Sequence, residues 1–160
     1  MSLSNVYTTG LQNVGSYQVS GVPFATGSIN VSSSAASPLN KPYKISFPSV
    51  TKWVQVFNHD PQEALYVGFS RNGLVGNIDG GNCDNNYHFK LPKATVNQTL
   101  GANGNGWVST GQMELKLTEI WLSGSSQDVS VVAGLTYIDN ARVFNASPSG
   151  SNWSGSVGVG

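Results

Sequence analysis

His59 and His88 are the side chains whose ordinary titration lies nearest neutral pH, so acid–base or nucleophilic chemistry would be sought there first. His59 adjoins Asp60 in the turn HDPQE, and His88 falls on the polar side of the short alternating run YHFKLP. A nucleophile, a base and a group to orient it must come within hydrogen-bond reach of one another. No G-x-S-x-G elbow, H-E-x-x-H helix, phosphate-binding loop or dinucleotide fingerprint accompanies either histidine. Both are read as exposed polar side chains. Glycosidic cleavage needs two carboxyl groups flanking one bond. Glu114 and Glu119 are five residues apart on an extended run, which sends them to opposite faces unless a bulge intervenes. Asp60 and Glu63 share a turn without apolar neighbours that would raise a carboxyl pKa. The expectation is a protein with no catalytic residues.

The stretch IDGGNCDNNYH offers oxygen ligands in Asp79, Asn82, Asp84 and Asn86, which would suit Ca²⁺. The spacing fails the EF-hand rule, because Gly80 and Gly81 stand where ligands are required and no Glu closes the loop. Asx and Gly are also what a solvated turn needs. Cys83 with His88 supplies too few soft ligands for zinc. No metal and no cofactor is assigned. Four N-x-S/T sequons, at Asn30, Asn97, Asn145 and Asn152, arise readily in a chain this rich in Asn, Ser and Thr. More informative are the aromatic residues off the inward rows: Trp53, Phe57, Tyr66, Trp107, Trp121 and Trp153. Lined along a sheet face, such rings stack on sugars or anchor a protein interface. Trp121, on a strand of uncertain phase, is assigned instead to packing under loops.

The elements that must position these rings are strands. The 160 residues are 39% hydrophobic but only 10% charged, well below the ordinary charged fraction, so Ser, Asn, Thr and Gly supply the polarity. Eight basic and eight acidic residues are scattered, leaving zero net charge and no basic run to mark nucleic-acid binding. The lone Cys83 permits no intrachain disulfide. The opening MSLSNVYTTGLQNVGSYQVSG has neither the basic nor the apolar region of a signal peptide, and cytosolic synthesis is expected. No apolar run is long enough for a membrane span.

No window carries a convincing helical period. Short alternating runs broken by Gly, Asn, Pro and Ser predict roughly seven or eight strands of an all-β sandwich. YKISFP sets Tyr43, Ile45 and Phe47 on one face; TKWVQVFN sets Val54 and Val56 against Trp53, Gln55 and Phe57. ALYVGFS turns Leu65, Val67 and Phe69 inward, and its distance from Val56 suits a hairpin. Asn72-Gly73 favours a tight turn with positive φ at the head of a long loop. QMELKLTEIWLSG is the longest strand candidate, with a bulge near Thr118–Glu119 to restore its phase. DVSVVAGLTYI places Val129, Val131, Ala133, Leu135 and Tyr137 on one face. The expected organisation is an arm over 1–21, a single antiparallel β-sandwich over 22–140, and a Ser/Gly-rich arm over 141–160.

Two segments, ISFPSVTKWVQVFNHDPQEALYVGFSRNG (Ile45 to Gly73) and LKLTEIWLSGSSQDVSVVAGLTYI (Leu115 to Ile138), resemble single jelly-roll capsid proteins of icosahedral viruses. The likeness is nearest to small penton, or vertex, proteins of large double-stranded DNA viruses, and it covers about a third of the chain. It implies a jelly-roll fold in which WVQVFN and LYVGFS form a strand pair and EIWLSGSSQDVSVVAGLT the closing pair. It also implies a capsid-shell role without catalysis, assembly as a homo-oligomer (a pentamer is favoured), contacts with other capsid proteins, and residence in the virion. Low charge and two-faced apolar strands agree with self-association. Trp53, Phe57, Tyr66, Trp107 and Trp153 are the candidate subunit interface. The alternative is a lectin-like carbohydrate-binding sandwich that displays the same aromatics.

Overall fold

The strand Thr51–Asn58 buries Val54 and Val56 completely and leaves Trp53, Gln55 and Phe57 half-buried on its other side. That is the alternation expected when one row of an extended chain meets a core. Seven more strands accompany it. In chain order they are β1 (Val22–Ile29), β2 (Tyr43–Ser46), β3 (Thr51–Asn58), β4 (Leu65–Gly68), β5 (His88–Leu91), β6 (Val108–Ser109), β7 (Glu119–Gly124) and β8 (Val129–Leu135). A short helix α1 (Arg71–Val75) lies between β4 and β5, and a 3₁₀ turn covers Asn140–Arg142. The structure is a computed structural model that describes residues 21–31, 42–75, 87–94, 106–142 and 159.

The strands form two four-stranded antiparallel sheets, ordered β1-β8-β3-β6 and β2-β7-β4-β5. Outermost in sequence pairs with outermost: β1 with β8, β2 with β7, β3 with β6 and β4 with β5. The inward rows of both sheets meet in one apolar cluster containing Val54, Val56, Val129 and Val131 from one layer and Leu65, Val67, Ile120 and Leu122 from the other. Each such side chain contributes about 1.5–3 kcal/mol on burial, so this shared layer outweighs any single polar contact. The molecule is thus an all-β, sandwich-like fold.

Several sequence expectations are corrected. β3 and β4 do not form a hairpin, because they lie in different sheets. Their connection is pinned by Asn58 and Asp60 to carry the chain across the core edge (below). β7 and β8 likewise belong to opposite sheets. The run from Gln112 to Gly124 is not one bulged strand. Met113 bridges Val54 in the first sheet, and only Glu119–Gly124 is strand, in the second. Its shift of phase marks a crossing between layers. Thr51 secures the crossing: its hydroxyl donates to the Leu115 carbonyl at 2.6 Å and accepts the Leu117 amide at 2.9 Å.

Asn72-Gly73 is not a positive-φ turn but part of α1, started by Ser70, whose hydroxyl accepts the Gly73 amide at 2.8 Å. Leu74 of this helix covers Gly68, where a methyl group would approach Leu74 Cγ to 2.9 Å. Tyr137 leaves the inward row of β8 and is 69% exposed, since the strand ends at Leu135 and Thr136 turns its hydroxyl to the Val50 carbonyl. Edge strand β1 is interrupted between Thr26 and Ile29, with Ser28 at φ 53°, which blunts it against further pairing. Gly124, at φ 125°, ends β7 where a methyl would lie 2.8 Å from the Ala64 carbonyl. The expected arms fall mainly on residues outside the described set, 1–20 and 143–158. Among the described residues no helix is long and apolar enough to cross a membrane.

Candidate functional site

The outer face of the β1-β8-β3-β6 sheet is built from the second row of each strand. Across it, Trp53 stands opposite Gly134, Gln55 opposite Val132 and Phe57 opposite Ser130. Pro23 and Ala25 of β1 flank Gly134 and Val132 from the other side. A glycine opposite Trp53 gives the indole no cross-strand side chain to lean on. Lys52 is the one charged residue in the four strands of this sheet, so the strands themselves bring almost no charge to the face. Gln55 is held on it by a hydrogen bond that its side-chain Nε2–H donates to Ser109 Oγ at 3.1 Å.

Three rings run along one edge of this face. Trp107, 59% exposed, meets Phe57 edge-on at 5.5 Å, and Phe57 stacks on the His59 imidazole at 6.1 Å. The imidazole Nε2 lies 3.2 Å from Ser130 Oγ. His59 was missing from the aromatic set read in the sequence, although its place two residues beyond Phe57 on the same strand row is a legible signal. The ring is half-buried rather than exposed, stacked at the sheet surface.

Asp60 turns the opposite way. It is buried, its Oδ1 accepts the amides of Gln62 and Glu63, and its Oδ2 accepts that of Gln127, at 2.8, 3.1 and 2.8 Å. Burial acts to raise its pKa, but the three backbone donors together outweigh burial and hold the carboxyl below its usual value. Asp60 is therefore an ionised staple for two loops, bonded to backbone amides, while the His59 ring lies against Ser130. Beside it, Asn58 is completely buried and fully engaged. Its amide nitrogen donates to the carbonyls of Glu63 and Pro92, each at 3.0 Å, and its oxygen accepts Ser126 Oγ at 2.8 Å and the Asp60 amide at 3.1 Å.

Tyr66 lies on the other side of the molecule. On the outer face of the second sheet it meets the His88 ring at 5.2 Å, with Lys90 Nζ 5.8 Å from its centroid. His88 Nδ1 is 3.1 Å from the Gly73 carbonyl oxygen, so this histidine is half-buried against α1 rather than exposed. On the same face Lys44 sits over Trp121 at 5.4 Å and forms an ion pair with Glu119, whose carboxylate also accepts the Trp121 indole N–H at 3.0 Å. Glu119 is buried and structural while Glu114 is exposed, and Asp60 and Glu63 are separated in the same way.

The candidate interface set is thus divided: Trp53, Phe57 and Trp107 share one face, and Tyr66 belongs to the opposite one. Trp153 lies outside the described residues, as do Asp79, Asn82, Cys83, Asp84 and Asn86, and the sequons at Asn97, Asn145 and Asn152. Asn30 is half-buried just past β1. Among the described residues no group of three or more His, Cys, Asp or Glu is placed to hold a metal ion. No family model, no curated protein and no solved structure matches the chain.

Proposed function

We propose that this chain is a non-enzymatic structural protein of a viral capsid, a penton or minor component of the shell. In this reading it folds as a single jelly roll and assembles, as a pentamer, with copies of itself and with other capsid proteins in the virion. The observation that carries the reading is the nested pairing of β1 with β8, β2 with β7, β3 with β6 and β4 with β5. Such nesting is what results when one long antiparallel hairpin is rolled into two sheets, the construction of an eight-stranded jelly roll. A face holding Trp53, Phe57 and Trp107 with almost no charge supports self-association, because aromatic anchors in a weakly charged patch are favourable to desolvate.

The test is the mass of the purified chain in solution across a range of concentrations, compared with Trp53→Ala. A closed ring is expected for the wild type. The variant should keep its fold and lose assembly affinity by roughly 2 kcal/mol per contact, near thirtyfold. A wild type that stays monomeric at high concentration, or a variant that loses its fold instead, counts against the reading. The exposed ring of Trp107 edge-on to Phe57 favours a second reading, a sugar-stacking platform on a carbohydrate-binding module. Glycan binding by a monomer, abolished by Trp107→Ala, would select it.

A further inference from the structure

The second sheet turns Ile45, Leu65, Val67, Leu91, Ile120 and Leu122 into the core, so Lys44, Tyr66, Lys90 and Trp121 point outward. Each lysine stands directly opposite a ring on the adjacent central strand: Lys44 of β2 opposite Trp121 of β7, and Lys90 of β5 opposite Tyr66 of β4. Each leans inward over that ring, at 5.4 and 5.8 Å from the centroids. The rings are themselves held. Glu119 accepts the Trp121 indole N–H at 3.0 Å, and the His88 ring meets Tyr66 edge-on at 5.2 Å. Trp121 stands opposite Gly68, two residues from Tyr66, so the two cation–ring pairs lie on a diagonal across β7 and β4. Strands about 4.8 Å apart and a two-residue rise of about 6.7 Å set that diagonal at about 8 Å.

We propose that this face binds an extended acidic segment of another protein, with Lys44 and Lys90 each taking one carboxylate. Charge complementarity carries the choice of partner. The four strands of the sheet contain two lysines and one carboxylate, and that one, Glu119, is buried and paired with Lys44. The Lys44 side chain is still 41% exposed, and its ammonium has three N–H donors, enough to serve a second carboxylate beside Glu119. Lys90 is exposed, and neither β4 nor β5 contains an acidic residue. The spacing favours a peptide. Side chains two apart on an extended chain point the same way at about 6.7 Å, so acidic residues at alternate positions match the diagonal within the reach of a flexible lysine. An ammonium held over a ring also has less rotamer freedom to lose on binding. The face lies opposite Trp53, Phe57 and Trp107, so this contact is separate from the assembly proposed above and is open to a single chain.

The test is calorimetric titration of the full chain at low ionic strength with a peptide of alternating Glu and Ser, beside its Gln–Ser counterpart and a heparin-derived sulfated oligosaccharide. The acidic peptide should bind, the neutral one should not, and added salt should weaken the binding. Lys90→Gln and Lys44→Gln should each weaken it roughly three- to fivefold, and Lys90→Arg should retain it. Lys52→Gln removes the same charge from the other sheet and should leave the affinity unchanged. If Lys44→Gln loosens the fold through Glu119, exposed Lys90 decides. No binding of the acidic peptide, or equal weakening by Lys52→Gln, overturns the proposal. Tighter binding of the oligosaccharide, weakened by Lys90→Gln, also overturns it and assigns the face to an anionic glycan.

Discussion

Asn58 offers the sharpest test of how the two sheets are joined. All four of its bonds go to groups on three connections: Glu63 and Asp60 after β3, Pro92 after β5, and Ser126 between β7 and β8. Both Asn58 and Ser126 are fully buried, and Asp60 nearly so. At about 1 kcal/mol net per bond, Asn58→Ala should cost about 4 kcal/mol, a large share of a typical 5–15 kcal/mol stability. Asn58→Asp is nearly isosteric and separates shape from chemistry. It keeps one acceptor but turns a carboxylate oxygen toward the carbonyls of Glu63 and Pro92, close to ionised Asp60. The loss at pH 7 should reach about 3–5 kcal/mol, because an uncompensated charge is buried.

The sign of the pH effect follows from that repulsion. The new carboxyl has a folded pKa above its unfolded value, so the folded state binds the extra proton and the variant regains stability as pH falls through that raised value. The assay is urea unfolding at pH 7 and pH 5, with the midpoint read at unchanged m-value. A loss below about 1 kcal/mol in Asn58→Asp at pH 7, or no relative gain at pH 5, would refute the assignment of the amide donors.

Asp60 gives the opposite pH dependence. Its folded pKa is depressed below the unfolded 3.8, so its contribution is complete above that value and lost as pH falls through the depressed one. Asp60→Asn should flatten the acid limb of a stability–pH curve. Thr51→Val should cost about 2–3 kcal/mol in chemical unfolding, because two hydrogen bonds that hold the Leu115–Leu117 crossing vanish without a change of volume. Lys44→Met should cost only about 1 kcal/mol in thermal unfolding, since the lysine is 41% exposed and water screens its pairing with Glu119.

Much of the local structure was legible in the sequence. The alternation of TKWVQVFN dictates that Val54 and Val56 share a face and that Trp53 and Phe57 share the other, because extended backbone leaves no other arrangement. The same rule placed Leu65 with Val67, and Val129 with Val131. The helical turn after β4 escaped because Asn-Gly reads as a hairpin turn by propensity, whereas Ser70 capping and the close packing of Gly73 decide otherwise. The status of Asp60 also escaped, since nothing in HDPQE reveals that Gln127 arrives from a distant loop to bind its carboxylate.

What the amino-acid order determined alone is the pattern of faces along each strand, a property of residues one and two positions apart. Only the tertiary structure decided that β3 and β4 part company into different sheets, that the run after Met113 changes layer, and that Tyr66 looks away from Trp53 and Phe57. Those outcomes depend on hydrogen bonds and buried contacts between residues far apart in the chain. The period of a single strand is the same whichever neighbour it finds.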